Sequence, residues 1–131
     1  MTSKTWWRRL FGRATAPELD PSDTDLVEVV ASFDDAEACS TALERATGWT
    51  PQRPAVLRHL LRLPAAQVES AAAIAAQDGY TVHERGDGDP CEVVLQRVQL
   101  LDALHCSQER ARMAGLAQRH DGTALGWTAW Q

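Results

Sequence analysis

Residues 119–131, RHDGTALGWTAWQ, place Trp127 and Trp130 at the far end of the sequence. Chain termini fray unless a sheet or a docked helix holds them. A tryptophan removes about 150–250 Å² of surface from water only when it is enclosed, so two of them here argue for a strand paired inside a sheet. Side chains alternate along a strand, which places Leu125, Trp127 and Ala129 on one face and points Trp130 to the other. Gly122 supplies the stop for a helix arriving from upstream.

Working back from that strand, residues 102–120 (DALHCSQERARMAGLAQRH) read as a helix burying Leu104, Ala111, Met113, Leu116 and Ala117. Before it, YTVHER and CEVVLQRVQ flank GDGDP, an acidic glycine-rich turn, and form a hairpin. Tyr80 and Val82 are expected to share a face with Cys91, Val93 and Leu95. AAQVESAAAIAAQDG is a helix with Val68, Ala71, Ala72, Ile74 and Ala75 inward and Gly79 at its C-terminus. AVLRHLLRL, residues 55–63, puts Leu57, His59, Leu61 and Leu63 on one face and Arg58 and Arg62 on the other. A helix also accommodates these leucines, so periodicity alone leaves that segment open. Pro64 breaks the run.

Residues 54–131 therefore spell strand, helix, strand, strand, helix, strand. That order predicts an α+β, ferredoxin-like (βαββαβ) antiparallel sheet with two helices on one face. The first and last strands are expected in the interior and the hairpin at the edges. Upstream, residues 25–53 form an extension: DLVEVVASF suits a strand, though its acids also permit a helix start. DDAEACSTALERATG suits a helix capped by Asp34 or Asp35 and ended by Gly48. Residues 1–24 are a basic tail and a proline-marked linker. In the tail Trp6, Trp7, Arg8, Arg9 and Phe11 read either as a disordered segment or as a short membrane-surface or partner-docking element.

The sequence of 131 residues has one domain's worth of core, and its 44% apolar and 24% charged content is that of a globular protein. It has no apolar run long enough for a bilayer span and no signal-peptide pattern, so a cytoplasmic location, possible also at the inner membrane surface, is the expectation. Net charge is −5, but it is segmented. Lys4, Arg8, Arg9 and Arg13 come first. Glu18, Asp20, Asp23, Asp25, Glu28, Asp34, Asp35, Glu37 and Glu44 follow, against Arg45 alone, and then come Arg53, Arg58 and Arg62. RNA-recognition domains share the predicted topology, yet the middle strands offer only Trp127 or Trp130 for stacking, and the acidic balance removes most phosphate attraction. Strong nucleic-acid binding is not expected.

Little here assembles into reactive chemistry. Cys39, Cys91 and Cys106 are odd in number and lack CxxC spacing, which predicts reduced thiols rather than disulfides or a zinc knuckle. Cys106 beside His105, and Cys91 across the hairpin from His83 with His59 or Glu84 near, are the candidates for catalysis or a metal. None has the close ligand pairs that zinc prefers. GDGDP lacks the downstream glutamate of a calcium loop, and no glycine-rich stretch matches a phosphate loop. No catalytic residue, cofactor or metal is expected.

RPAVLRHLLRLPAAQVESAAAIAAQDGYTV followed, after the acidic hairpin, by SQERARMAGLAQRHDGTALGW resembles the family of regulator of ribonuclease E activity B, the ribonuclease E inhibitor B family, over residues 54–131. That family has a Pro-x-Val-x-His-like strand, an alanine-rich helix ending Gly-aromatic-x-Val, and a close on Gly-Gly-x-Tyr-Asp-Gly-Trp. Here Asp121 and Gly122 stand at the Gly-Gly position, and Gly126 and Trp127 at the Gly-Trp. Ala124 and Leu125 replace the Tyr-Asp pair. The resemblance implies a ferredoxin-like domain without chemistry of its own that binds a ribonuclease E-like endonuclease and lowers its activity. The contacts expected to carry such binding are Arg58, Arg62, Trp127 and Trp130 on the strands and Asp34, Asp35 and Glu37 upstream. The alternatives are a dimeric sensing or structural module, and a membrane-peripheral adaptor working through the tail.

Overall fold

The computed structural model describes residues 19–131, so Trp6, Trp7, Arg8, Arg9 and Phe11 of the tail lie outside the described residues. In chain order the elements are β1 (Glu28–Ser32), α1 (Cys39–Arg45), β2 (Pro54–Leu63), α2 (Val68–Gln77), β3 (Thr81–Arg85), β4 (Cys91–Leu100), α3 (Ala103–Arg119) and β5 (Thr123–Trp130). They make a mixed α+β fold. Its five-stranded sheet runs β1-β5-β2-β4-β3, with every neighbouring pair antiparallel.

The segment that periodicity left open, residues 55–63, is strand. β2 pairs with β4 from Pro54↔Leu100 to Leu63↔Cys91, and with β5 from Val56↔Trp130 to Arg62↔Thr123. Being paired on both sides, it buries Val56 as well as the Leu57, Leu61 and Leu63 face. That is why its hydrophobic pattern is nearly continuous instead of cleanly alternating. β5 lies between β1 and β2, and Trp127 is 2% exposed. At about 25 cal/mol/Å², enclosing one tryptophan is worth roughly 4–6 kcal/mol before entropy is counted. This holds the segment in place.

The hairpin departs from expectation. Of its two strands β3 lies at an edge of the sheet, while β4 lies inside, between β2 and β3. β4 is long enough to match β2 residue for residue and buries Cys91, Val93 and Leu95, whereas all five residues of β3 are exposed. Val82 is 45% exposed and does not join the core with Tyr80. His83, Glu84 and Arg85 place polar and charged groups along that free edge, which discourages pairing with another chain.

The extension is part of the same core. β1 pairs with β5 from Glu28↔Trp130 to Ser32↔Trp127. α1 packs Cys39, Ala42 and Leu43 against Leu57, Cys106, Trp127 and Ala129. A second cluster joins α2, α3, β2 and β4 through Leu61, Leu63, Val68, Ala71, Met113 and Leu116. Three helices, not two, therefore share one face among the described residues. Among those residues the other face carries no helix.

Several local expectations shift. α1 does not begin at Asp34 or Asp35. Its N-cap is Ala38 with no side-chain cap, because the Asp34 carboxylate instead accepts from Ala36 N–H in a tight turn. It ends at Ala46 in extended backbone, before Gly48. Ile74 is 38% exposed and Leu104 is 64% exposed, and Ala111 also faces outward. The buried stripe of α3 is Cys106, Glu109, Met113, Leu116 and Ala117, and Leu104 and Ala111 lie on the opposite side of the helix. Leu125 falls in a bulge of β5, so Ala124, opposite Leu61, takes its place against the core. Gly79 ends α2 at φ +86°, where the Tyr80 N–H donates to the Ala75 carbonyl. Asp102 caps α3 through its carboxylate, which accepts from His105 N–H at 2.7 Å.

Candidate functional site

The helix-free face of the sheet is built from the outward residues of β2, β4 and β5. Arg58 on β2 stacks its guanidinium 4.6 Å from the Trp130 ring centroid and donates from Nε to Gln96 Oε1 at 3.1 Å. Trp130 is held in turn by its Nε1–H, which donates to Thr128 Oγ1 at 2.9 Å. Leu60, Val94 and Val98 are half-buried around this stack. Arg62 pairs with Glu92 at 3.2 Å, both well exposed, which is worth little by itself. A planar cation stacked on an indole, with aliphatic groups at its margin, is a composition protein interfaces favour. Arg58, Arg62 and Trp130 thus come together. Trp127 does not belong with them: pairing with both β1 and β2 encloses it on the opposite face, out of a partner's reach across this one.

Asp34, Asp35 and Glu37 lie elsewhere, in the turn between β1 and α1. Glu37 is committed inside the molecule: it accepts from Arg45 Nε at 2.7 Å and from Ser32 Oγ at 2.8 Å. The Arg45 and then the Ser32 hydrogen bonds hold its carboxyl well down, at about 2. Arg110 of α3 donates to the backbone carbonyls of Asp34 and Glu37 and pins the turn. Between this turn, α3 and β5 opens a cleft of about 620 Å³, with His59, Met113 and Trp127 among its lining residues and Asp34, Asp35, Ser107 and Arg110 at its polar side. Alternation puts His59 on the leucine face of β2. It is 2% exposed, and burial, the main cause, drops its pKa to about 4 despite the nearby Glu109.

The candidates for reactive chemistry do not assemble. Cys106 is buried, and its thiol is pushed up to about 12 by burial first and by Cys39 and Asp102 next. Its neighbour His105 faces outward, its Nδ1 2.6 Å from the Asp102 carboxylate. Cys91 pairs with Leu63 and donates its thiol to the Gly86 carbonyl at 3.0 Å, while His83 falls in a bulge of β3. Among the described residues no group of three or more His, Cys, Asp or Glu side chains is placed to hold a metal ion. A polar cluster that sequence reading missed surrounds Glu109, which is 5% exposed. It accepts from Tyr80 Oη at 2.6 Å and pairs with Arg97 at 3.3 Å and Arg112 at 3.0 Å. Burial raises its pKa most strongly, but the Tyr80 hydroxyl and the two arginines together outweigh that and hold the carboxyl low. Every partner is satisfied, so this cluster braces α3 against β4. The only hint in the sequence was a glutamate on the inward face of a helix.

No family model, curated protein or solved structure matches this chain. No helix among the described residues is long and apolar enough to cross a membrane.

Proposed function

We propose that the chain is a non-enzymatic protein-interaction module that docks a protein partner on its helix-free sheet face, and that the partner is a ribonuclease E-like endonuclease whose activity it lowers. The ferredoxin-like assignment belongs to this proposal. What supports it is the run from β2 to β5, strand-helix-strand-strand-helix-strand, with spatial order β5-β2-β4-β3 and β1 added beside β5. The observation that carries the docking surface is the Arg58–Trp130 stack at 4.6 Å, set among half-buried Leu60, Val94 and Val98 with no helix of the described residues over them. Arginine and tryptophan are the side chains most often found to dominate binding energy at interfaces. The choice of partner rests on the resemblance of residues 54–131. Ala124 and Leu125, where that family has Tyr-Asp, turn respectively to the core and to a bulge, so any partner contact made by that pair is missing here. The buried free thiols of Cys39, Cys91 and Cys106 fit a reducing compartment such as the cytoplasm.

The test is a binding titration and an RNA-cleavage assay with purified ribonuclease E, using the full chain and a form lacking residues 1–16. Binding is expected to survive loss of the tail. Arg58→Glu or Trp130→Ala should weaken it at least about tenfold, equivalent to roughly 1.4 kcal/mol. Unchanged cleavage together with no complex at micromolar concentrations would refute the choice of partner. Equal binding by the Arg58→Glu variant would refute the choice of face.

A further inference from the structure

The described residues begin on the helix-free face. Arg58 Nη2 donates to the Pro21 carbonyl at 3.4 Å, so the stretch leading into β1 passes beside the Arg58–Trp130 stack, with Leu19 and Pro21 half-buried. Further along the sheet, Gly126, Leu60, Val94 and Glu84 stand side by side in register from β5 to β3. A Cβ at Gly126 would collide with the Phe33 ring, which places that ring over the glycine at the start of this row. Phe33 is itself 59% exposed. The row is an apolar track about 14 Å long, three strand spacings, that starts at Phe33 and ends at the Glu84 carboxylate.

Charge and reach select the occupant. The face and the stretch feeding it hold Asp20, Asp23, Asp25, Glu84 and Glu92 against Arg58 and Arg62. Residues 1–16 carry Lys4, Arg8, Arg9 and Arg13 and no acid, and they group Trp6, Trp7, Leu10 and Phe11 among those charges. An apolar track bordered by surplus carboxylates complements such a segment. The connection is long enough: from Phe11 to Leu19 the extended chain spans at most about 26–29 Å, well over the length of the track. A tether of that length holds the segment at an effective concentration in the millimolar range, so a modest contact stays closed. We infer that residues 6–11 of this chain lie back across the helix-free face, with Trp6, Trp7 and Phe11 on the Phe33–Leu60–Val94 track and Arg8 and Arg9 toward Glu84 and Glu92. The choice of face rests on the docking surface proposed above, and the consequence is regulatory: tail and partner exclude one another, so a partner binds only by displacing the tail.

The experiment compares the ¹⁵N-labelled full chain with its full-length triple variant Trp6→Ser, Trp7→Ser, Phe11→Ser, with no nuclease present. The indole N–H of Trp130 and the amides of Leu60 and Val94 are expected to shift between the two, independently of protein concentration. Ala111 and Ala114, on the exposed side of α3, should stay unmoved. If the triple variant does not fold, Arg8→Glu with Arg9→Glu takes its place. A synthetic peptide of residues 1–16, added to the variant chain, should bring the sheet-face signals back toward their wild-type positions saturably, with a dissociation constant below about 1 mM. Glu84→Lys, at a side chain 73% exposed, should weaken that peptide about threefold. Four results would each overturn the inference: no shift on the sheet face; an equal shift on α3; a shift that disappears on dilution, which makes the occupant a second copy of the chain; and no peptide response up to about 1 mM. Unchanged peptide affinity in Glu84→Lys would overturn the placement of Arg8 and Arg9. Because no nuclease enters these measurements, a failed cleavage assay leaves them standing, and their own failure leaves the face open to a partner.

Discussion

Lowering the pH from 7 to 5 asks His59 to accept a proton where its charge has no hydration. The imidazole is enclosed by β4, β5 and the Tyr80 ring, whose centroid is 5.8 Å away. Burial dominates its pKa, Glu109 opposes that, and Arg97 adds to it, leaving a value of about 4 against an ordinary 6.5. The folded state thus binds fewer protons than the unfolded chain between those values. Stability is full above 6.5 and falls as the pH drops towards 4. A gap of about 2.5 pH units at about 1.4 kcal/mol each makes the whole effect roughly 3 kcal/mol, of which about 2 kcal/mol is lost between pH 7 and pH 5. Glu109 and Glu37, both held below the ordinary carboxylate value of 4.5, contribute stability above it that is lost only at lower pH, so they stay out of this window. The assay is urea unfolding at pH 7, 6 and 5. With a slope of about 1.5 kcal/mol/M, the wild-type midpoint should fall by about 1–1.5 M. His59→Leu, which removes an unpartnered nitrogen from the interior, should show a midpoint nearly flat over the same range. A flat wild type, or a variant with the wild-type slope, would refute the reasoning.

Other outcomes follow from the packing. A Cβ at Gly122 would come within 2.3 Å of the Arg62 carbonyl oxygen and 2.5 Å of Leu63. Because the nearest atom is backbone, Gly122→Ala should destabilise the chain by about 1–3 kcal/mol in thermal or urea unfolding. The Cys106 thiol, pushed up to about 12 by burial, should resist a thiol reagent at pH 8 in the native chain and react once urea unfolds it; rapid native labelling of Cys106 would count against its placement. Asp102→Ala removes the carboxylate that caps α3 and should cost about 1 kcal/mol, measured by the same unfolding curves, whereas Asp102→Asn should keep most of it. Glu109→Ala leaves Arg97 and Tyr80 without their buried partner and should cost about 3 kcal/mol or more.

Much of the chain could be read from its residues because the deciding interactions are local. Gly79 ends α2 by a left-handed turn, Asp102 caps α3 three residues from the N–H it holds, and the glycines and aspartates of residues 86–89 turn the hairpin. Trp127 demanded burial for an equally elementary reason wherever the chain placed it. Tertiary structure alone decided how these pieces meet. That β1 would flank β5, that β4 and not β3 would lie inside, and that a bulge would hand Leu125's place to Ala124 all depend on hydrogen-bond partners distant in sequence, which no periodicity encodes. The same holds for the sites. Arg58 and Trp130 were legible as outward residues of separate strands, but their stack is a product of register. Alternation put His59 on the leucine face, but nothing in AVLRHLLRL reports that β4 and β5 close on both its sides; only the assembled sheet strips its water away and sets it beside Trp127.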